Sequence, residues 1–296
     1  MSCYYDIHGI DGFRDEKPDV IYTKALSRIL DFFSETDIKP TLFVVGRELN
    51  NDEVTAGLKS ASGLGYEIAN HTYSHLYNFM KLDTSKVEDE ILGCEKIISD
   101  KLNVKAAGFR APGYNINRGV VSRLIGLGYK YDSSLLPSPF YYFAKCGIIF
   151  FYKLTGRKTK SICGSVRMPF ASRRPYRTDE EHIYCKGKDG KIAEIPVSVA
   201  GVFGIPYVGT FIMGYRESFF RYLLKKSADL SFLHIELHGI DFLDRNDISD
   251  ERLCKAQFDV NIPLGKKLDR LKILIDTYNP ERSLRLSDIG IPVNNL

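Results

Sequence analysis

Histidines 71 and 75 stand four residues apart in "YEIANHTYSHLYNF" (residues 66–79), directly after a short run that reads as a buried strand. Two neutral imidazoles at that spacing can face one way on a helical turn and bind a divalent ion, with a carboxylate as third ligand and water in the open position. Taken alone, HxxxH more often marks two polar loop residues, and it is the position at a strand end that favours metal. Arg110 in "GFRAPGY" could be a surface arginine. It follows a strand-like run and precedes proline, however, so its guanidinium is expected to project from a strand end and hold a carboxylate by a bidentate pair. In "LHIELHGIDF", positions 234, 236 and 238 would share one strand face. His238, at the end of that run, is the catalytic candidate, and His234 reads as a packed histidine.

The elements that must position these groups alternate along the chain. "PTLFVVG" reads as a strand and residues 51–64 as a helix; "YEIAN" is the next strand. A helix follows from Thr84, with Thr84 or Ser85 as cap and Glu88 placed for a capping box. "AAGFRAP" ends a third strand, "RGVVSRLIGLG" is a helix, and "YKYDSS" is a fourth strand. Later come "AEIPVSVA" as a strand, "ESFFRYLLKKSA" as a helix and "SFLHIELHG" as a strand. A helix over residues 264–278 and a final short strand "SLRLSDIG" close the series. Such alternation predicts an α/β fold with a mostly parallel sheet, open or closed into a barrel. Functional groups then gather at the carboxyl ends of the strands. Here those ends carry "NHTYSH", "FRAPGY", "YDSS" and "ELHGID".

Composition narrows the function classes. The 296 residues allow one large domain or two small ones, with 44% hydrophobic and 26% charged residues and no low-complexity tract. The 41 Lys plus Arg exceed the 37 Asp plus Glu by only four, too dispersed a surplus to suggest a nucleic-acid partner. Six widely spaced cysteines, with no CxxC pair, suggest neither a zinc knuckle nor a disulfide framework, so a reducing cytoplasm is the expected compartment.

The ordered set "NHTYSH", "FRAPGY", "YKYDSS" and "ELHGIDF" resembles the polysaccharide deacetylases, also called the NodB-homology or carbohydrate esterase 4 family, from about residue 20 to the end. The resemblance implies a distorted (β/α) barrel forming a single domain over 1–296, and a hydrolase of carbon–nitrogen bonds other than peptide bonds. It implies a divalent metal, zinc by expectation, on His71 and His75, and places Arg110 in the motif that positions the catalytic carboxylate. It also makes His238 the acid that protonates the leaving amine, and sets a backbone N–H near Tyr114 against the oxyanion. The family's first strand ends in two aspartates, one a base and one a metal ligand. This chain opens "MSCYYDIHGIDGFRDE", in which "MSCYY" is a poor first strand. The reading favours absence of that strand and its aspartates, which would leave weak metal binding and poor catalysis. Asp6 as base and Asp11 as third ligand are the candidates within the chain. The alternative to a deacetylase is therefore a catalytically impaired sugar-binding relative, or a truncated enzyme.

Residues 137–187 read as an insertion facing substrate or membrane. Its run "PFYYFAKCGIIFFYKL" is too short to span a bilayer and is followed by Arg157, Lys158 and Lys160. An interfacial helix on an anionic leaflet, at the inner face of the membrane, is one reading, and a helix packed on the barrel is the other. In "SRRPYR", Arg173, Arg174 and Arg177 could grip a phosphate or uronate, or be solvated loop residues. Tyr114, Asp132, Arg173 and Arg174 complete the substrate-binding candidates. The expected substrate is an N-acylated sugar of an envelope glycan or a lipid-linked saccharide.

Overall fold

The computed structural model describes residues 2–11, 19–188, 190–214 and 216–291. In chain order the elements are α1 (Ser2–His8), α2 (Leu26–Ser34), β1 (Thr41–Val44), α3 (Asp52–Gly63), β2 (Glu67–Asn70) and α4 (Thr84–Leu102). Next come β3 (Gly108–Phe109), α5 (Arg118–Gly126), β4 (Tyr131–Asp132), α6 (Pro139–Leu154), β5 (Tyr176–Thr178) and β6 (Ile192–Glu194). Then follow β7 (Val199–Ala200), β8 (Ile205–Pro206), α7 (Glu217–Ser227), α8 (Glu251–Ala256) and α9 (Leu264–Tyr278). The chain folds as an α/β protein whose residues group into two compact units: Met1–Asp37, Ser138–Ser161 and Val197–Ser283 in the first, and Ile38–Pro137, Ile162–Pro196 and Leu284–Leu296 in the second. The expected insertion is shared, with residues 138–161 in the first unit and the rest in the second.

The second unit holds the sheet, in strand order β1-β2-β3-β4-β6-β5, parallel except for the β5–β6 pair. Among the described residues its edges are β1 and β5, so the ladder is open. Register puts Val44, Asn70, Phe109, Asp132 and Glu194 side by side in one row across it. Residues that follow this row, including His71, Arg110 and Ser133, therefore leave the sheet along one rim.

The crossover helices form for local reasons. Asn51 caps α3 by accepting from the N–H groups of Glu53 and Val54, and Val54, Leu58 and Ala61 make its buried face. The cap of α4 is Asp83 rather than Thr84 or Ser85: its carboxylate accepts from Lys86 N at 2.9 Å. Glu88 is not used in a capping box but pairs with Arg123 of α5. Along α4, Val87, Ile91, Cys94, Ile98 and Leu102 supply a buried stripe at helical spacing. Asn117 caps α5 and also donates to Met80 O at 2.6 Å. The expected last strand is instead a 3₁₀ turn, Leu286–Asp288. It is fastened by Leu286 N donating to Thr41 Oγ1 at 3.1 Å and Ser287 N to Glu67 Oε2 at 3.1 Å.

In the first unit, "SFLHIELHG" is an extended run with one isolated parallel bridge, Val208 to Glu236, rather than a full strand. It is held by Ser198 N donating to His234 O and by Glu236 N donating to Tyr207 O, each at 3.0 Å. The hairpin β7–β8 and α6 through α9 complete this unit together with α1 and α2. Cys3, Cys94, Cys185 and Cys254 are thiols, whereas Cys146 and Cys163 are disulfide-bonded, which the cysteine spacing did not suggest.

One core site is sharply constrained. Tyr131 lies over Gly108, where an added Cβ would meet the ring at 1.8 Å, and its hydroxyl donates to buried Glu67 at 2.9 Å. Gly108→Ala is expected to cost about 1–3 kcal/mol by displacing that ring. Tyr131→Phe should cost roughly 1–3 kcal/mol by leaving Glu67 Oε1 unsatisfied. Urea denaturation of the two variants checks both.

Candidate active site

The imidazole pair sits not on a helical turn, as the spacing allowed, but on a loop pinned at many points. Asn70 ends β2 and directs its amide group to Ile91 O (2.9 Å) and the Tyr129 hydroxyl (2.7 Å), while its carbonyl oxygen accepts from Thr72 N at 2.9 Å. Thr72 and His75 both take left-handed backbone angles, φ 64° and 55°. A β-branched residue there is strained, and such conformations persist where surrounding bonds over-determine them. Gly46 N donates to Thr72 O, Arg47 N to Tyr73 O, Ser74 N to the Glu90 carboxylate and His75 N to Thr72 Oγ1. The result folds His75 back on His71, with ring centroids 4.8 Å apart.

His71 Nδ1 lies 2.7 Å from Arg110 O. A carbonyl can only accept, so Nδ1 carries the proton and Nε2 keeps its lone pair. This is the arrangement by which protein-bound metals orient histidine ligands. The pair therefore fits two positions around a tetrahedral ion. Among the described residues no group of three or more His, Cys, Asp or Glu is placed to hold a metal, so the fit extends to the two histidines.

Arg110 is buried and its guanidinium stacks on Phe43, 4.2 Å from the ring centroid. Its Nε donates to Ser133 O and its Nη2 to Ser133 Oγ, both at 2.8 Å. The bidentate carboxylate grip expected from the sequence is thus, in these bonds, a grip on Ser133. Beside it lie two buried carboxyls. Asp132 and Glu194 are register partners on β4 and β6. Burial raises Asp132 to about 6, against the lowering influence of its bonds to Glu194 and Ser134 and of the Arg110 charge. Burial, and then the Asp132 charge and hydrogen bond, raise Glu194 well above the usual carboxylate range. Two like charges in one dry site cannot both ionise, so the pair shares a proton, held on Glu194. Leu135 N donates to Glu194 Oε1 at 3.2 Å, and Ala111 N to Ser134 Oγ at 2.8 Å. Glu194 was missed in the sequence; the signal was an acid at the end of an otherwise apolar strand, "AEIPV".

Gly113 and Tyr114, in the turn after Arg110, both have positive φ, 62° and 61°. At Gly113 an added Cβ would also approach Asn115 Nδ2 at 3.0 Å. Asn115 in turn donates to Tyr77 O at 3.1 Å, fixing the turn that presents buried Tyr114. Arg173 and Arg174 are exposed on a loop, whereas Arg177 lies in β5 with Nε donating to Gly190 O at 2.6 Å.

The remaining candidates belong to the first unit. His238 is half exposed, with Nε2 3.7 Å from Glu236 and Nδ1 4.0 Å from Asp241. Asp241 also accepts from His238 N at 2.7 Å, closing a short capping box. Burial raises Asp241 to about 6, opposed by the His238 charge and assisted by Asp259. Buried Lys267 of α9 donates to Leu243 O at 2.8 Å, and burial lowers its pKa. Glu236 and Asp241, neither singled out from the sequence, thus flank the imidazole. His234 is buried, in line with a packing role. Asp6 lies on α1, not at a strand end, and pairs with Lys160 at 2.8 Å. Asp11 is exposed, its carbonyl accepting from Arg252 at 2.9 Å. These two acids lie in the first unit and the histidine pair in the second.

Comparison with known proteins adds a family. Residues 15–131 match the polysaccharide deacetylase family model, a stretch that contains His71, His75, Arg110 and Tyr114 and stops just before Asp132. A peptidoglycan-N-acetylglucosamine deacetylase of Bacillus cereus is 31% identical over 116 residues, which is 39% of this chain and 51% of that protein. A peptidoglycan deacetylase of Helicobacter pylori is 26% identical over 116 residues, 39% of each chain. A polysaccharide deacetylase structure from Mycobacterium smegmatis has a TM-score of 0.43 at 18% identity, covering 83% of this chain and 60% of that one. Over residues 15–131 the chain is therefore similar to the polysaccharide deacetylase family, the NodB-homology or carbohydrate esterase 4 group that its motifs resemble. It spans about half the length of the Bacillus relative and two fifths of the Helicobacter one.

The shared proton sets a pH dependence. An acid whose folded pKa is raised stabilises the fold below its unfolded value, about 4, and that stability is lost as pH rises through the folded value. The Tm should therefore fall as pH rises from about 4 through about 6, where Asp132 and Asp241 ionise, and keep falling as Glu194 follows. Glu194→Gln, which keeps an acceptor for Leu135 N, should flatten that fall without abolishing it, since Asp241 titrates in the same direction. Thermal melts across pH test this, and an unchanged slope in the variant would refute proton sharing.

Proposed function

We propose that this chain removes an N-acyl group, acetyl in the first instance, from an amino sugar of a cell-envelope glycan. The observation that carries the reading is the imidazole pair, with His71 Nε2 left as an acceptor by the bond from Nδ1 to Arg110 O. The named activities of the relatives, on peptidoglycan and its N-acetylglucosamine, support the substrate class. His71 and His75 would hold a divalent ion, zinc by donor type. When bound, such an ion supplies Lewis acidity and lowers the pKa of water. The protein's own groups do the rest. His238 hands a proton to the departing nitrogen, with Glu236 and Asp241 keeping the imidazole oriented. Arg110, Asp132 and Glu194 form a rigid polar floor behind His71. Arg173 and Arg174, exposed on their loop, suit an anionic group on the sugar.

In this reading Asp6 is the base and Asp11 the third metal ligand, and Asp6 must first release Lys160. That ion pair favours a second reading, a glycan-binding relative without catalysis.

The test is bound zinc and acetate release from an N-acetylated chito-oligosaccharide. His71→Ala and His75→Ala should lose zinc and lower kcat/KM at least about 100-fold. His238→Gln should keep zinc and lower kcat by about 10²–10⁴. Sugar binding with no acetate release from the parent chain would establish the second reading. Zinc and activity undisturbed by His71→Ala would overturn the metal assignment.

A further inference from the structure

The outward face of α6 is apolar. Phe140, Phe143, Ile148, Phe151 and Leu154 are exposed at helical spacing, with Phe143 64% and Leu154 69% accessible. The inward side instead carries polar groups: buried Tyr142, and Lys145, whose pKa burial lowers to about 8. This is the reverse of a helix packed for water. The β7–β8 hairpin extends the patch. Phe203 at its tip is 75% exposed and accepts, through its carbonyl, from Phe140 N at 3.1 Å, so the tip is tied to the start of α6. Exposed apolar patches of this kind mark interaction sites.

Charge selects the occupant. Residues 138–161 contain five basic residues, Lys145, Lys153, Arg157, Lys158 and Lys160, and no acid, and residues 197–214 contain no charged residue at all. Lys160 pairs with Asp6, leaving Lys153, Arg157 and Lys158 exposed at the far end of the helix. A second copy of the chain laid on this face would oppose these cations to their own kind. An anionic lipid leaflet would take the aromatic side chains into its interface and the basic groups at its headgroups. No described helix is long and apolar enough to cross a membrane, so the contact is peripheral. We propose that α6 and the β7–β8 tip dock the protein on an anionic bilayer surface. The docking stands on these elements alone. Joined to the proposed deacylation, it assigns the glycan substrate to a lipid-linked or membrane-apposed pool.

The test is co-sedimentation of the full chain with vesicles of phosphatidylcholine alone or with about 30% phosphatidylglycerol, beside Phe143→Ser/Phe151→Ser and Lys153→Glu/Lys158→Glu. The expected result is at least tenfold tighter binding to the anionic vesicles, weakened about tenfold or more by either double variant and by high salt, with circular dichroism unchanged. Equal binding by parent and variants, or no binding by the parent, would overturn the proposal. So would concentration-dependent dimers abolished by the phenylalanine variant, which would assign the face to a second copy. Acetate release from a soluble oligosaccharide, run on the same samples, separates this outcome from the fate of the catalytic reading.

Discussion

The hydrogen bond from His71 Nδ1 to the carbonyl of Arg110 is the contact on which the site depends. It ties the residue after β2 to the residue after β3, and so converts sheet register into imidazole chemistry. Asn70 and Phe109 are neighbours in the ladder, and the next residue of each meets the other immediately beyond it. A slip of one residue would turn every side chain of β2 to the other face and break this bond. The tautomer of His71 is thus set by backbone pairing across the sheet.

Much of this could be read from the chain because it rests on local pattern. Apolar runs ending in polar clusters gave the order of strands, and apolar spacing gave α3, α4, α5 and α9 nearly to the residue. What could not be read depends on distant partners. The left-handed turn at His75 requires Glu90, Gly46 and Arg47 to pin the loop, and no spacing rule announces them. Glu194 becomes a partner of Asp132 only through the β4–β6 register, across 62 residues of sequence. Asp83 displaced Thr84 as helix cap because its carboxylate reaches the Lys86 N–H. The run "SLRLSDIG" alternates like a strand, yet its N–H groups are consumed by Thr41 and Glu67 side chains, which leaves it a turn.

Two clusters of buried carboxyls share a design. Asp132 and Glu194 in one unit, and Asp241 in the other, are raised by burial and moderated by positive charge, that of Arg110 for the first two and of His238 and Lys267 for the third. Such groups cost stability at neutral pH and are retained where geometry matters more than stability. In the second unit they back the arginine whose carbonyl orients His71. In the first, Asp241 flanks His238.

The most direct test of this account is the tautomer of His71 in the metal-free protein, read from long-range ¹H–¹⁵N couplings of a ¹⁵N-labelled sample at a pH where the ring is neutral. The expected result is a proton on Nδ1, with Nε2 showing the shift of an unprotonated nitrogen. A proton on Nε2 would mean that the Arg110 carbonyl does not set the ring, and that the imidazole pair is not prepared to bind metal.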